Sequence, residues 1–184
     1  ATTTVETESQ SVYLLDNIEI NKQWLIDLGL RWDKFDTDLT YNKASGDIKA
    51  GTKYSSSNDF FNYQAGLTFK PTENSSIYAS YATSANPVGI DVDVDMDAAN
   101  QTLDPEKART YEVGTKWSLW ENRANINAAL FRTEKQNTRI AIDAETSANA
   151  GESKVDGFEL GLTGHITDKW EMALGYSYLD SKVE

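Results

Sequence analysis

The chain contains no cysteine, one histidine (His165) and three prolines in 184 residues. Without cysteine there is no disulfide framework and no thiolate metal site, and the redox compartment stays open. A lone histidine leaves a Ser/His/Asp triad or a histidine-based metal site nothing to build on. Nucleotide-binding glycine motifs are missing as well, so the residues point away from an enzyme. Cations are also scarce, with 17 Lys and Arg against 29 Asp and Glu and a formal charge of −12. Nucleic acid is thereby excluded as a partner, because counterion release needs clustered cations. No run approaches the ~18 consecutive apolar residues of a spanning helix, and the opening ATTTVETE is not a basic-then-apolar signal peptide. A membrane β-barrel escapes all these exclusions: its strands alternate lipid-facing apolar with lumen-facing polar residues, which fits the mean hydropathy of −0.56.

What is present is alternation with a period of two, and nowhere sustained helical spacing. In 24–33 the even positions are Trp24, Ile26, Leu28, Leu30 and Trp32, against Asp27, Gly29, Arg31 and Asp33. The pattern recurs over 60–69, 76–84, 110–119, 124–133, 155–164 and 170–179. A further strand at about 11–20 has mixed facing, because Asp16 interrupts Val12, Leu14, Ile18 and Ile20 while Tyr13 and Leu15 lie opposite. Residues before it read as the tail of a loop. The expected fold is all-β: an antiparallel up-and-down meander of about eight strands, part of a transmembrane β-barrel.

Connections alternate between short and long. Short turns fall at Asn21–Gln23, Pro71–Ser75, Trp120–Arg123 and Thr167–Lys169, and long polar loops at 36–58, 85–108 and 136–152. Every long loop therefore lies on one rim, as in an outer-membrane barrel with a tight periplasmic rim and an open extracellular one. A soluble β-sandwich, structural or adhesive, is the competing reading, since it also alternates apolar-in with polar-out. Two features favour the barrel. The polar face repeatedly carries glycine (Gly29, Gly66, Gly114, Gly157, Gly161 and Gly175), which fits a crowded lumen better than a solvated surface. Aromatic residues also cluster at both strand ends, with Trp24, Phe69, Trp117, Trp120 and Trp170 near the short turns. Trp32, Phe61, Tyr81, Tyr111 and Tyr178 lie toward the long loops.

The run LDPEKARTYEVGTKW (103–117) resembles the LxPExxxxYEVGxK segment of TonB-dependent siderophore receptors. NAALFRTEKQNTR (127–139), VDGFELGLTG (155–164) and WEMALGYSYLD (170–180) follow in that family's order, and YLLDNIEI (13–20) with LGLRWD (28–33) resembles its upstream strands. The resemblance implies a 22-stranded outer-membrane barrel, of which residues 1–184 would be a partial β-barrel with plug domain, TonB box and C-terminal strands absent. It further implies a transporter, not an enzyme, that takes up a ferric siderophore, possibly of catecholate type, through TonB acting on the plug, with outer-membrane lipid around it.

On that reading, cationic and aromatic residues toward the extracellular side are candidates to meet an anionic iron chelate: Arg31, Tyr41, Lys43, Lys49, Lys53, Tyr54 and Arg139. Guanidinium and ammonium groups complement catecholate oxygens, and rings stack on catechols. The alternative is that these loop cations balance loop acids. In the run DVDVDMD (91–97), an extended backbone puts Asp91, Asp93, Asp95 and Asp97 on one side, a candidate hard-cation site that competes with a solvated loop tip. It is not an EF-hand, since Met96 replaces the turn glycine and Thr102 the bidentate glutamate. No resident cofactor is expected apart from a divalent cation there.

Overall fold

The computed structural model describes residues 3–44, 48–87, 105–136, 139–141, 147–149 and 151–183. They form β1 (Thr3–Glu19), β2 (Trp24–Tyr41), β3 (Lys53–Thr72), β4 (Ser75–Asn86), β5 (Glu106–Leu119), β6 (Ala124–Gln136), β7 (Arg139–Ala141), β8 (Ser147–Asn149), β9 (Ser153–Thr167) and β10 (Trp170–Val183). Eight of these make one antiparallel sheet in the order β1-β2-β3-β4-β5-β6-β9-β10, and β7 with β8 makes a small separate hairpin. The meander expected from the alternation is present, and the described residues contain no helix.

Tight turns close one rim. Asn21 Oδ1 accepts the backbone N–H groups of Gln23 and Trp24 at 2.9 and 3.0 Å, fixing the β1–β2 turn. Trp120, Glu121 and Asn122 all take positive φ (51°, 57° and 67°) between β5 and β6. The Arg123 guanidinium meets Asp168 at 3.1 Å, tying the β5–β6 turn to the β9–β10 turn.

Register fixes facing, because cross-strand partners share a face. Leu30 is opposite Leu14 and Tyr63, Val113 is opposite Ala79 and Leu130, and Leu160 is opposite Ala128 and Tyr176. This outward face is a continuous apolar band that none of the described residues covers: Leu30 is 47% exposed, Val113 56% and Leu130 62%. A sandwich would bury such a band under a second sheet, and among the described residues no second sheet packs on it, which counts against the soluble alternative. Asp16 lies within the band on β1, opposite Leu28.

The upper edge of the band falls at Trp32, Phe61, Tyr81, Tyr111, Leu130, Phe158 and Tyr178, each followed outward by a polar or charged residue: Lys34, Asp59, Thr83, Arg109, Arg132, Asp156 and Asp180. Against the hydrogen-bond register that edge slides. Phe61 lies opposite Trp32, but Tyr81 lies opposite Ala65, four residues lower on β3. Tyr111 lies opposite Tyr81, whereas Leu130 lies opposite Val113, two residues lower on β5. A level bilayer surface cutting tilted strands produces such a slide. Six residues over the six strand spacings from β2 to β10 correspond to a tilt of about 35°, within the range barrels need.

Two expectations about length are corrected. The loop expected at 36–58 is mostly strand, since β2 continues to Tyr41 and β3 starts at Lys53, and the tail expected before residue 11 is part of β1. All of Thr3–Glu19 pairs with β2. The reason is a reversal of polarity: past Trp32 the outward positions Lys34, Asp36 and Asp38 are charged, while Phe35, Leu39 and Tyr41 turn inward. Outside the bilayer the outward face meets water, so the apolar residues change sides. The loop expected at 136–152 contains the β7–β8 hairpin. Most of the connection between β4 and β5 lies outside the described residues.

The inward glycines have a local cause. Gly114 lies opposite Tyr78 and Gly157 opposite Phe131, and a β-carbon at either position would run into that ring. Each ring occupies the space that a β-carbon on its glycine would take.

Candidate functional site

The inner wall of the sheet, continued upward by the tall β1–β3 ribbon, is the surface on which a ligand approaching from the long-loop rim would land. Its lower part is built of paired polar groups. The Tyr78 hydroxyl donates to Glu112 at 2.7 Å, and the Lys116 ammonium stands 5.5 Å from the Tyr78 ring centre. Higher up, Arg31 Nε donates to both oxygens of Asp33 at 2.9 Å, and Arg31 Nη2 donates to Ser11 Oγ at 3.0 Å. Ser11 also donates to Asp33, at 2.7 Å. Asp33 is buried, so this triad welds β1 to β2 at the level where the strands leave the bilayer.

Above it the wall becomes aromatic. Phe35 and Phe60 stack with centres 5.7 Å apart and planes 19° apart. Leu39 and Tyr41 are each 6% exposed and pack with Ile48 and Tyr54, the two tyrosine rings meeting edge to face at 6.1 Å. Phe35 and Phe60 were not singled out from the sequence; the polarity reversal past Trp32 is the signal that finds them. On the outer surface of this ribbon Lys34 lies 2.9 Å from Asp36. That hydrogen bond, with one from Ser57, holds the Asp36 carboxyl below the usual carboxylate range.

The candidate ligand residues are dispersed. Arg31 is engaged with Asp33 and lies ten residues below Tyr41, about 33 Å along the strand. Tyr41 is buried in the small core, and Tyr54, itself half-buried, packs against it edge to face. Lys53 is opposite Thr40 on the outward face, away from the lumen. Lys43 and Lys49 are exposed in the 42–52 connection, where Thr52 N–H donates to the Lys49 carbonyl at 3.2 Å. Arg139 begins β7 on the same rim, opposite Asn149. Lys43 and Lys49 thus remain as a pair of accessible cations at one tip, while Arg31, Tyr41 and Lys53 are held in structural roles or turned outward. Asp91, Asp93, Asp95 and Asp97 lie outside the described residues.

The inner wall changes character along its height. It offers fixed hydroxyl, amide and paired charged groups below, ring faces above and cations at the tip, a set suited to recognising a ligand with aromatic rings and anionic oxygens.

Known proteins share both sequence and shape. The family profile described as TonB dependent receptor-like, beta-barrel, matches residues 1–184. The probable TonB-dependent siderophore receptor PiuA of Acinetobacter baumannii is 59% identical over 181 residues, covering 96% of this chain and 24% of the relative. The catecholate siderophore receptor Fiu of Escherichia coli is 30% identical over 194 residues, covering 94% of this chain and 26% of the relative. The crystal structure of PiuA superposes with a TM-score of 0.90 at 56% identity, over 99% of this chain and 26% of that one. The chain therefore spans about a quarter of the length of the relatives it matches. With strands, facing, tilt and sequence in agreement, the chain belongs to the TonB-dependent receptor β-barrel family of the outer membrane.

Proposed function

We propose that the protein to which this chain belongs imports a ferric siderophore across the outer membrane, driven through TonB. The observation that carries the reading is the 59% identity, over 96% of the chain, to a probable TonB-dependent siderophore receptor. The family is one of transport receptors and not of enzymes, in keeping with a wall that offers recognition groups only. A catecholate ligand is the preferred class: 30% identity to a catecholate siderophore receptor agrees with a wall that combines stacked rings with cations at its rim. In this reading Lys43, Lys49 and Arg139 at the rim meet the anionic oxygens first, and the inner wall receives the chelate. The plug and TonB supply the energised step.

The test uses the full-length parent, expressed in a strain stripped of its own ferric-catecholate receptors, with the ferric tris-complex of 2,3-dihydroxybenzoate as the sole iron source. Growth that is lost on deleting TonB is the expected result. Growth independent of TonB, or none with this or any other ferric chelate while the receptor is folded in the membrane, overturns the proposal. Growth on hydroxamate or citrate chelates but not on the catecholate keeps the transport reading and discards the ligand class.

A further inference from the structure

One lipid-facing position breaks the apolar band. On β2–β6, β9 and β10 the outward residues between the two aromatic edges include no Asp, Glu, Lys, Arg or His, whereas β1 carries Asp16 there. Asp16 lies opposite Leu28, and Leu28 is four residues from both Trp24 and Trp32, the ends of the band on β2. Four residues are about 13 Å along the strand, so the carboxyl stands at mid-depth of the hydrocarbon.

Nothing on the described side of Asp16 balances that charge. Leu14 and Ile18 flank it along β1, and Leu28, with Ile26 and Leu30 diagonally, faces it across the ladder. The adjacent Asn17 donates to Asp27, but both lie on the lumen face. Asp16 makes no ion pair among the described residues. Elsewhere in the sheet a carboxylate is met from the next strand, as Asp156 is by Arg132 at 2.6 Å. β2 offers Asp16 only apolar neighbours, which leaves the opposite edge of β1. A sheet in lipid leaves no row of backbone groups unpaired, so in the parent barrel a further strand bonds along that edge, its lipid-facing side chain about 5 Å from Asp16. An unpaired carboxylate in hydrocarbon is strongly unfavourable, and an opposite charge alongside is what offsets it.

We infer that the strand adjoining β1 in the parent barrel presents an Arg or Lys beside Asp16, and that this lipid-embedded ion pair selects the strand that joins β1 and fixes its register. Alternation of apolar and polar residues rejects a slip of one residue, which would turn every side chain to the wrong face, but it is indifferent to a slip of two. A two-residue slip would carry the cation about 7 Å from Asp16 and leave both charges alone in hydrocarbon. The pair therefore supplies register information that the apolar pattern lacks. The inference rests on the barrel's place in the outer membrane and holds whichever ligand is transported.

The test takes the full-length parent in lipid vesicles and follows urea unfolding by the mobility shift of folded barrel on a gel. D16N and D16L should each lower the folded-to-unfolded ratio at fixed urea at least tenfold, because each leaves the cation unpaired, and D16E should keep most of the stability. Disulfide scanning against L14C and I18C locates the adjoining position. Replacing the Arg or Lys found there with leucine in the D16L protein should restore the ratio, since an apolar pair is at home in lipid. If D16L alone does not assemble, the same restoration is read as recovered assembly yield. A ratio unchanged or raised by D16L, or unchanged by D16N, overturns the inference, because the carboxyl then stands alone or neutral. So does an adjoining strand with no lipid-facing Arg or Lys beside Asp16, or one whose replacement restores nothing. A D16L loss that vanishes as protein is diluted in lipid puts the cation on a second molecule and overturns it too.

Discussion

Replacing Val113 with arginine is the sharpest test of the outward band. Val113 is 56% exposed, and its row partners Ala79 and Leu130 are apolar, with Phe158 and Tyr178 continuing the row. It lies one residue, about 3 Å, from the midpoint between Tyr111 and Trp117 on β5. Arginine there faces hydrocarbon with no acid alongside, so the cost should approach the midplane value of about 2–4 kcal/mol. Ser80→Arg faces the other way, directly opposite Glu112, and should stay within about 0.5 kcal/mol of neutral. Leu28→Arg supplies the internal control. It too is in the band, but opposite Asp16, so it should cost less than Val113→Arg, and adding Asp16→Asn should remove the difference. The assay is urea unfolding of the full-length parent in lipid vesicles, read by the mobility shift of folded barrel. Equal costs for Val113→Arg and Ser80→Arg would refute the assignment of faces.

Topology is tested on intact cells: a membrane-impermeant thiol reagent should label Lys49→Cys, at the exposed tip, and not Asn122→Cys in the opposite rim, and labelling of Asn122→Cys alone would invert the orientation. Gly164→Ala should destabilise by about 1–3 kcal/mol, because its β-carbon would lie 2.9 Å from the Arg123 carbonyl oxygen, a backbone atom that cannot swing aside; an unchanged unfolding midpoint would contradict this. The Arg132 guanidinium holds the Asp156 carboxyl below the ordinary carboxylate value of 3.8, as Lys34 holds Asp36, so both pairs stabilise the fold fully above that pH. Their contribution should fade as pH falls through the lowered carboxyl values, and Asp156→Asn should flatten the acid limb of the melting curve measured from neutral pH downward. Among the described residues one edge each of β1 and β10 has no partner strand, so the isolated chain should need detergent to stay dispersed; a monodisperse preparation in plain buffer would count against that.

Strands were legible in the sequence wherever lipid and lumen impose opposite demands on alternate residues, as along Trp24 to Trp32 or Trp170 to Tyr178. Legibility ended where the strands left the bilayer. Across Asp33 to Phe35 the apolar set jumps from even to odd positions, and a reader of periodicity takes the jump for the end of a strand. The same jump hid the site: Lys53 and Tyr54 are adjacent in sequence and look interchangeable as loop residues, yet register sends one to the outer surface and the other into the core with Tyr41. Arg31 was correctly set on the lumen side, but its fork to Asp33 and its bond to Ser11 depend on the β1–β2 register, which no local pattern encodes. Lumen glycines were read as a sign of crowding, and their partners across the ladder supply the reason.

Those glycines have a mechanical consequence. With the Tyr78 ring laid over Gly114 and the Phe131 ring over Gly157, and with Gly161 opposite Gly175, the wall presents planes where it would otherwise present knobs. A domain that fills a barrel and must shift within it meets low corrugation along such a track, and interlocking side chains do not have to climb over one another. Smoothness of this kind lowers the barrier to sliding without weakening the resting contact, since flat faces give up little contact area as they translate. The register that places each ring over a glycine thus sets the smoothness of this wall as well as the pairing of its strands.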